Sequence, residues 1–257
     1  MKHIFPWATE VLHIPEKKFY LAPGFWIPRV LITYSVILGL SLWYIWLTIR
    51  LDVGGSPEAG AAWAKGIRER MRRGFRDERR EIHSTHSLQG HLAVFLGFAF
   101  AFGWILLSWD LSMSVDPHFQ STLYGWWFFM GGWVAAIASL TLLTMAWRKH
   151  LDRYDLINEK HFHDLGKLCF AFTAFWGYLT FGQYLVIWYG NLGEESHWAR
   201  LRLIQPWLPV TLMTVTLMFG PFFGLMAKSA KVYLPTMALF AGFTVVGLWF
   251  HRYLEVY

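Results

Sequence analysis

The sequence contains one cysteine, Cys169, set inside an apolar segment. One thiol closes no intrachain disulfide and cannot ligate a thiolate iron–sulfur or zinc cluster, which needs several. Charge is also scarce. Only 16% of the 257 residues are Asp, Glu, Lys or Arg, against roughly 25% in soluble domains. The N-terminal stretch carries Pro6, Glu10, Pro15, Glu16, Lys17 and Lys18, so no apolar leader core is expected there. No phosphate loop, nucleophile elbow or zinc-protease helix occurs. No residue is therefore assigned a catalytic or metal-binding role, and a soluble enzyme is excluded.

Apolar residues fill the space that charge leaves. They make up 55% of the chain, with 16 Trp and 11 Tyr, rings that collect at the headgroup level of a bilayer. Six apolar stretches are each long enough to cross a hydrocarbon core about 30 Å thick. The reading is an all-α integral membrane protein, a single bundle of about six helices. They are expected over 25–49, 88–109, 121–147, 165–189, 203–227 and 232–250, with a basic loop over 50–87. Pro206, Pro209 and Pro221 fall within the fifth, where proline kinks a helix and frees carbonyls.

Orientation follows from Lys and Arg. The loops after the first, third and fifth helices hold sixteen: Arg50, Lys65, Arg68, Arg70, Arg72, Arg73, Arg76, Arg79, Arg80, Arg148, Lys149, Arg153, Lys160, Lys167, Lys228 and Lys231. The opposite side holds seven: Lys2, Lys17, Lys18, Arg29, Arg200, Arg202 and Arg252. The first set is expected in the cytoplasm, so both ends of the chain should lie outside it. Net charge of +6 then reads as topology and anionic-lipid contact, with no nucleic-acid role. Trp63, Ile67, Met71 and Phe75 recur every four residues in the basic loop. That stripe fits an interfacial helix with arginines toward lipid phosphates, or a solvated helix that only sets topology. Gly131 with Ala135, Gly132 with Ala136, and Ala238 with Gly242 have the spacing that lets membrane helices approach closely.

Ionisable groups at membrane depth are costly and so mark candidate sites. His91 lies just inside the second helix and Asp110 ends it. Asp164 and Lys167 open the fourth at i, i+3, where they can pair. His251 and Arg252 follow the sixth, and Arg29 lies near the outer end of the first. Each also has a plainer role. Lys167 and Arg252 can snorkel to headgroups, Asp110 can sit in a wet loop, and His91 can be a packing residue. His161 and His163 stand two apart and point to different sides of a helix. On the fourth helix, Thr173, Trp176, Thr180, Gln183, Tyr184, Trp188 and Asn191 recur at three- or four-residue steps. This polar-aromatic face can line a half-channel or a quinone-type pocket, or simply hydrogen-bond between helices.

Two stretches resemble a known family. Residues 161–202 read HFHDLGKLCFAFTAFWGYLTFGQYLVIWYGNLGEESHWARLR, and 109–129 read WDLSMSVDPHFQSTLYGWWFF. They resemble the ActF family, an NrfD/PsrC-related membrane subunit of the bacterial alternative complex III. That family shows a DLGKL start, an FxxFWxYxxFxQYxxIWYxN helix and a DWxMSLDPxWxSTxxG segment. A weaker likeness covers 17–29. The family's PEE turn reads Gly193-Glu194-Glu195 here, without its proline.

The resemblance implies a respiratory quinol:cytochrome c oxidoreductase in the bacterial cytoplasmic membrane. This chain would be a subunit without redox centres, serving as scaffold and proton route. Quinol or quinone is the small molecule it could meet. Haem c and iron–sulfur clusters would belong to partners: an NrfD-like paralogue, an iron–sulfur subunit and multihaem c-type cytochromes. His91, Asp110, Asp164, Lys167 and Tyr184 become proton-route candidates. Thr173, Trp176, Thr180, Gln183, Trp188 and Asn191 become pocket candidates. Family members have about ten helices, so these six are expected to be part of a larger set. An autonomous transporter or channel, and a purely structural anchor, are the alternative functions.

Overall fold

A computed structural model of the chain describes residues 5, 7, 14–56, 62–75 and 77–256. Lys2, Pro6, Glu10 and Arg76, and the side chains of Glu16 and Glu194, lie outside the described residues. The described chain is helical: α1 (Pro15–Tyr20), α2 (Pro23–Gly55), α3 (Lys65–Arg72), α4 (Glu78–Leu111), α5 (Tyr124–His150), α6 (Glu159–Gly190), α7 (Gly193–Leu201), α8 (Leu208–Gly224), α9 (Lys228–Val232) and α10 (Leu234–Val256). Among them α2, α4, α5, α6 and α10 are long and apolar enough to cross a bilayer. The protein is a multi-pass, all-α membrane protein.

The fifth stretch departs from the expected 203–227. Its helix, α8, has 17 residues and is shorter than the other five. Residues 203–207 form turns, because Pro206 has no N–H to donate and Pro209 sits in the first turn of the helix. The sixth stretch departs the other way. Helix α10 continues past 250 to Val256, which places His251 inside the helix. The 50–87 loop is also shorter than expected, since α2 persists to Gly55 and α4 begins at Glu78. Gly74, at φ +76, breaks the expected four-residue stripe, so Phe75 lies in a turn beyond α3.

The chain divides into two compact units, residues 24–107 and residues 1–23 with 108–257. In the first, α2 and α4 pack where Ile37 covers Gly103, so closely that a Cβ on the glycine would lie 2.5 Å from the Ile37 side chain. Gln89 donates to Thr48 Oγ1 at 2.8 Å, and Arg50 lies 3.5 Å from Glu81.

In the second unit α5 packs on α6 and on α10, and α8 runs along α10 while meeting α6 only sparsely. A Cβ on Gly247 would come within 2.9 Å of Leu217 on α8, and one on Gly224 within 2.3 Å of the Phe240 ring. Of the small residues singled out above, Gly131 is a close approach, with Arg252 3.1 Å from its Cβ position. Gly242 faces open space. Its spacing matched a packing motif, but Gly247 and Gly224 are where α8 and α10 touch. One aromatic core gathers Phe119, Tyr124, Trp127, Trp176 and Trp198; a second holds Ile137, Cys169, Leu225 and Met237. Lipid tails are as apolar as these side chains, so close packing rather than escape from water holds such helices together.

Candidate functional site

Helix α6 starts with a capping box: Asn158 Oδ1 accepts from Lys160 N at 3.0 Å, and the His161 ring reaches back to the Asn158 backbone. His161 thus has a structural part in the helix start. The motif residues Asp164 and Lys167 form the expected pair, at 2.7 Å, on an exposed surface. Between them in sequence lies Gly166, which is buried against Lys231 of α9; a Cβ there would come 2.7 Å from the lysine chain. Close approach accounts for the glycine in that motif.

Further along, the polar-aromatic face divides. Thr173, Trp176 and Gln183 are buried, and Thr180 is partly so. Thr180 Oγ1 accepts from Trp127 Nε1 at 2.8 Å and donates to Trp176 O. Tyr184 and Trp188 are exposed. Asn191 stops the helix in a left-handed conformation, φ 44, a part Asn plays readily. A helix turns 100° per residue, so Tyr184 falls about 40° from Thr180 on the same side, and it borders the same cavity as Gln183 from an exposed position. The inward line is 173, 176, 180, 183 and 187.

From residue 176 onward that line, with Tyr184, borders a cavity of about 440 Å³. Trp127, Trp176 and Phe219 form one part of its wall, with Ile187, Val215 and Leu254 elsewhere. Gln183, Tyr184, Thr180, Thr211, Thr214, His251, Glu255 and Arg202 bring polar groups to it. Because α8 meets α6 only sparsely, the cavity lies in the gap between them. A second hollow of about 630 Å³ is lined by Trp109, Met113, Gln120, Leu123 and Glu195. Gln183 and Ile187 line both, so Gln183 stands as a partition between the two.

Sequence reasoning ended the sixth helix at 250 and so missed Glu255. Glu255 is 3% exposed. Arg252 Nη1 donates to Glu255 Oε2 at 2.6 Å, and His251 Nδ1 lies 3.2 Å from Glu255 Oε1. The Arg252 guanidinium also donates to Phe128 O and stacks 3.6 Å over the Phe128 ring. The His251 ring meets Trp127 and Trp176 edge-on, at 4.4 and 5.2 Å between centroids. Arg202 stacks on Trp198 at 3.7 Å and donates to Leu254 O and Trp198 O. Burial pulls its pKa down to about 10, so it stays cationic at neutral pH. Tyr124 OH and Ser112 Oγ lie 2.6 Å apart nearby. The available signal was the i, i+4 pair His251 and Glu255, which share a helix face.

Five buried atoms around the cavity have no hydrogen-bond partner: Gln183 Oε1, Trp176 Nε1, His251 Nδ1, His251 Nε2 and Glu255 Oε1. Each such group costs about 1–3 kcal/mol, and five close together mark a site with hydrogen-bonding capacity to spare. Glu255 Oε1 lies 3.2 Å from Nδ1 without a hydrogen bond to it, so both ring nitrogens of His251 remain open to a ligand.

The remaining candidates lie apart from the cavity lining. Asp110 is buried, 1% exposed, in the last turn of α4, and its backbone carbonyl accepts from Ser114 Oγ at 2.6 Å. It is not a wet-loop residue. His91 is exposed on α4, with Nδ1 2.8 Å from Ser87 O. Cys169 is fully buried in the second core. Among the described residues no three His, Cys, Asp or Glu come together as a metal site. No protein-family model matches the chain, and no curated protein matches it.

Proposed function

We propose that the chain is an ActF-like membrane subunit of a bacterial quinol:cytochrome c oxidoreductase of the alternative complex III type. One observation supports this reading above the others. The motif residues Trp176 and Gln183 line an apolar, aromatic cavity whose buried hydrogen-bonding groups are not used by the protein itself. Binding sites for apolar ligands have this character, with hydrophobic walls and a few placed polar groups.

In this reading the ring of a quinol enters from the bilayer between α6 and α8. It lies against Trp176 and Phe219. Gln183 Oε1 accepts from one hydroxyl, and His251 Nε2 can accept from a hydroxyl too, with Glu255 and Arg252 holding the imidazole in place. The electrons go to an iron–sulfur subunit and multihaem c-type cytochromes, docked beside an NrfD-like paralogue of this chain. The chain itself supplies scaffold and proton route. Asp164 lies nineteen residues and Lys167 sixteen before Gln183 on α6, about 28 and 24 Å at 1.5 Å per residue. That spacing sets carriers at opposite depths of one helix, with Tyr184 and Asp110 as further members and His91 on α4. The cytoplasmic membrane, with both chain ends outside the cytoplasm, is the setting that the Lys and Arg distribution favours.

Purification from native membranes tests the reading. It expects haem c and iron–sulfur chains to copurify, and quinol:cytochrome c turnover to fall at least about tenfold in Gln183→Leu, the size of effect expected when one placed hydrogen bond is lost. A haem-free, active monomer would overturn it.

A further inference from the structure

Unit 24–107 has no part in the cavity, yet it carries a surface of its own. Helix α3 follows α2 after a short link and holds Lys65, Arg70, Arg72 and Arg73 exposed. Of its apolar residues, Met71 is buried, but Ile67 is 50% exposed and Trp63, in the turn just before it, 83%. A soluble surface gains nothing from an exposed Trp and Ile flanked by arginines, whereas the headgroup layer of a bilayer meets both kinds of group.

The geometry keeps α3 at that level. The turn after α3 lays the Phe75 ring on Gly54, in the last turn of α2, so closely that a Cβ on Gly54 would lie 2.1 Å from the ring. One helical turn before Gly54, Arg50 lies 3.5 Å from Glu81 of α4. The C-terminal end of α3 is thus fastened where two apolar helices end. A hollow of about 590 Å³ opens there, with Arg72, Arg73, Phe75 and two glutamates around it. Over residues 62–80 the sequence carries eight Lys and Arg against three Asp and Glu.

We propose that residues 62–75 form a binding surface for anionic phospholipid on the side of the membrane where α2 ends. Trp63 and Ile67 enter the headgroup region, and the arginines of α3 meet lipid phosphates whose net negative charge is not cancelled by a choline or amine. A patch of this charge prefers an anionic to a zwitterionic leaflet, and salt weakens the preference. An acidic segment of a partner protein would also suit the charge. It would not need the exposed Trp63 and Ile67, nor the tether at the ends of α2 and α4.

The test uses the whole chain in nanodiscs of phosphatidylcholine, with or without phosphatidylglycerol, read by amide hydrogen exchange. Exchange over 62–75 should slow at least about tenfold when phosphatidylglycerol is present, consistent with several basic residues acting together. Added salt should reverse the slowing. In the R68Q/R70Q/R72Q/R73Q variant the lipid dependence should vanish while α2 and α4 stay protected. Should that variant lose protection in α2 and α4, the salt titration of the unaltered chain decides the matter alone. Equal exchange in the two lipids would overturn the proposal. So would protection that appears only when partner subunits are added, which would assign the surface to a protein instead.

Discussion

The two compact units handle polarity in opposite ways. In residues 24–107, Thr85 is the one polar or charged residue buried among those described. In the rest of the chain Asp110, Ser112, Thr141, Thr173, Gln183, Thr214, Lys231, Thr244, His251 and Glu255 are among those buried. The apolar stretch of α2 is 11% buried, against 33% for α5 and α10. Helix α2 keeps Leu31, Ile32, Leu42 and Trp43 on its outside, a surface whose composition suits lipid tails. One unit therefore has the character of a membrane anchor, and the other has an interior in which chemistry can be placed. Burying a carboxylate and an imidazole, with two guanidinium groups partly buried beside them, is costly unless they pair. Their concentration on one side of this division is the reason to look for function there.

Substitutions can sharpen or break this contrast. The largest effect is expected for Glu255→Leu, which leaves Arg252 and His251 without their carboxylate partner. Removing one member of a buried pair costs about 3–5 kcal/mol. Thermal unfolding in detergent should show the loss, and an unchanged midpoint would mean that the pair within α10 does not steady the Arg252 contact to Phe128 O of α5. Next comes Gly247→Ala, where the new methyl meets Leu217 at 2.9 Å and its backbone at 3.2 Å. Overpacking of this kind costs about 1–3 kcal/mol. Gly97→Ala in the other unit provides the contrast, because nothing lies within 4 Å of its Cβ position. It should be neutral or stabilising by up to about 1 kcal/mol, the helix-propensity difference. If the two glycine variants behave alike, the close approach of α8 to α10 at Gly247 is not real. The smallest effect belongs to Arg50→Gln. Its partner Glu81 is 3.5 Å away at a partly exposed position, and such pairs contribute about 0–1 kcal/mol.

Much of the fold was legible from hydropathy, because a span must be long and apolar whatever it packs against. Ends were less legible. Composition treated 203–207 as helix since Leu203, Ile204 and Trp207 are apolar, but proline geometry overrides apolarity. It closed the last helix at Phe250 since His251 and Arg252 are polar, yet that helix continues because Arg252 and His251 find Glu255 one turn on. The candidate site was half legible. Thr173, Trp176, Thr180 and Gln183 do share an inward face. Tyr184 borders the same cavity from an exposed position, while Trp188 is exposed and Asn191 ends the helix beyond the cavity lining. Trp127, Arg202, His251 and Glu255 come from other helices. Only tertiary packing brings them to Gln183.

The most direct measurement is photolabelling of native membranes with an azido-quinone, mapped by mass spectrometry. The proposed function places the label on residues 176–187 of α6 and 211–219 of α8, and expects less of it in Gln183→Leu. Label found on partner subunits alone, with these two helices unmarked, would contradict the assignment of the cavity to a quinol.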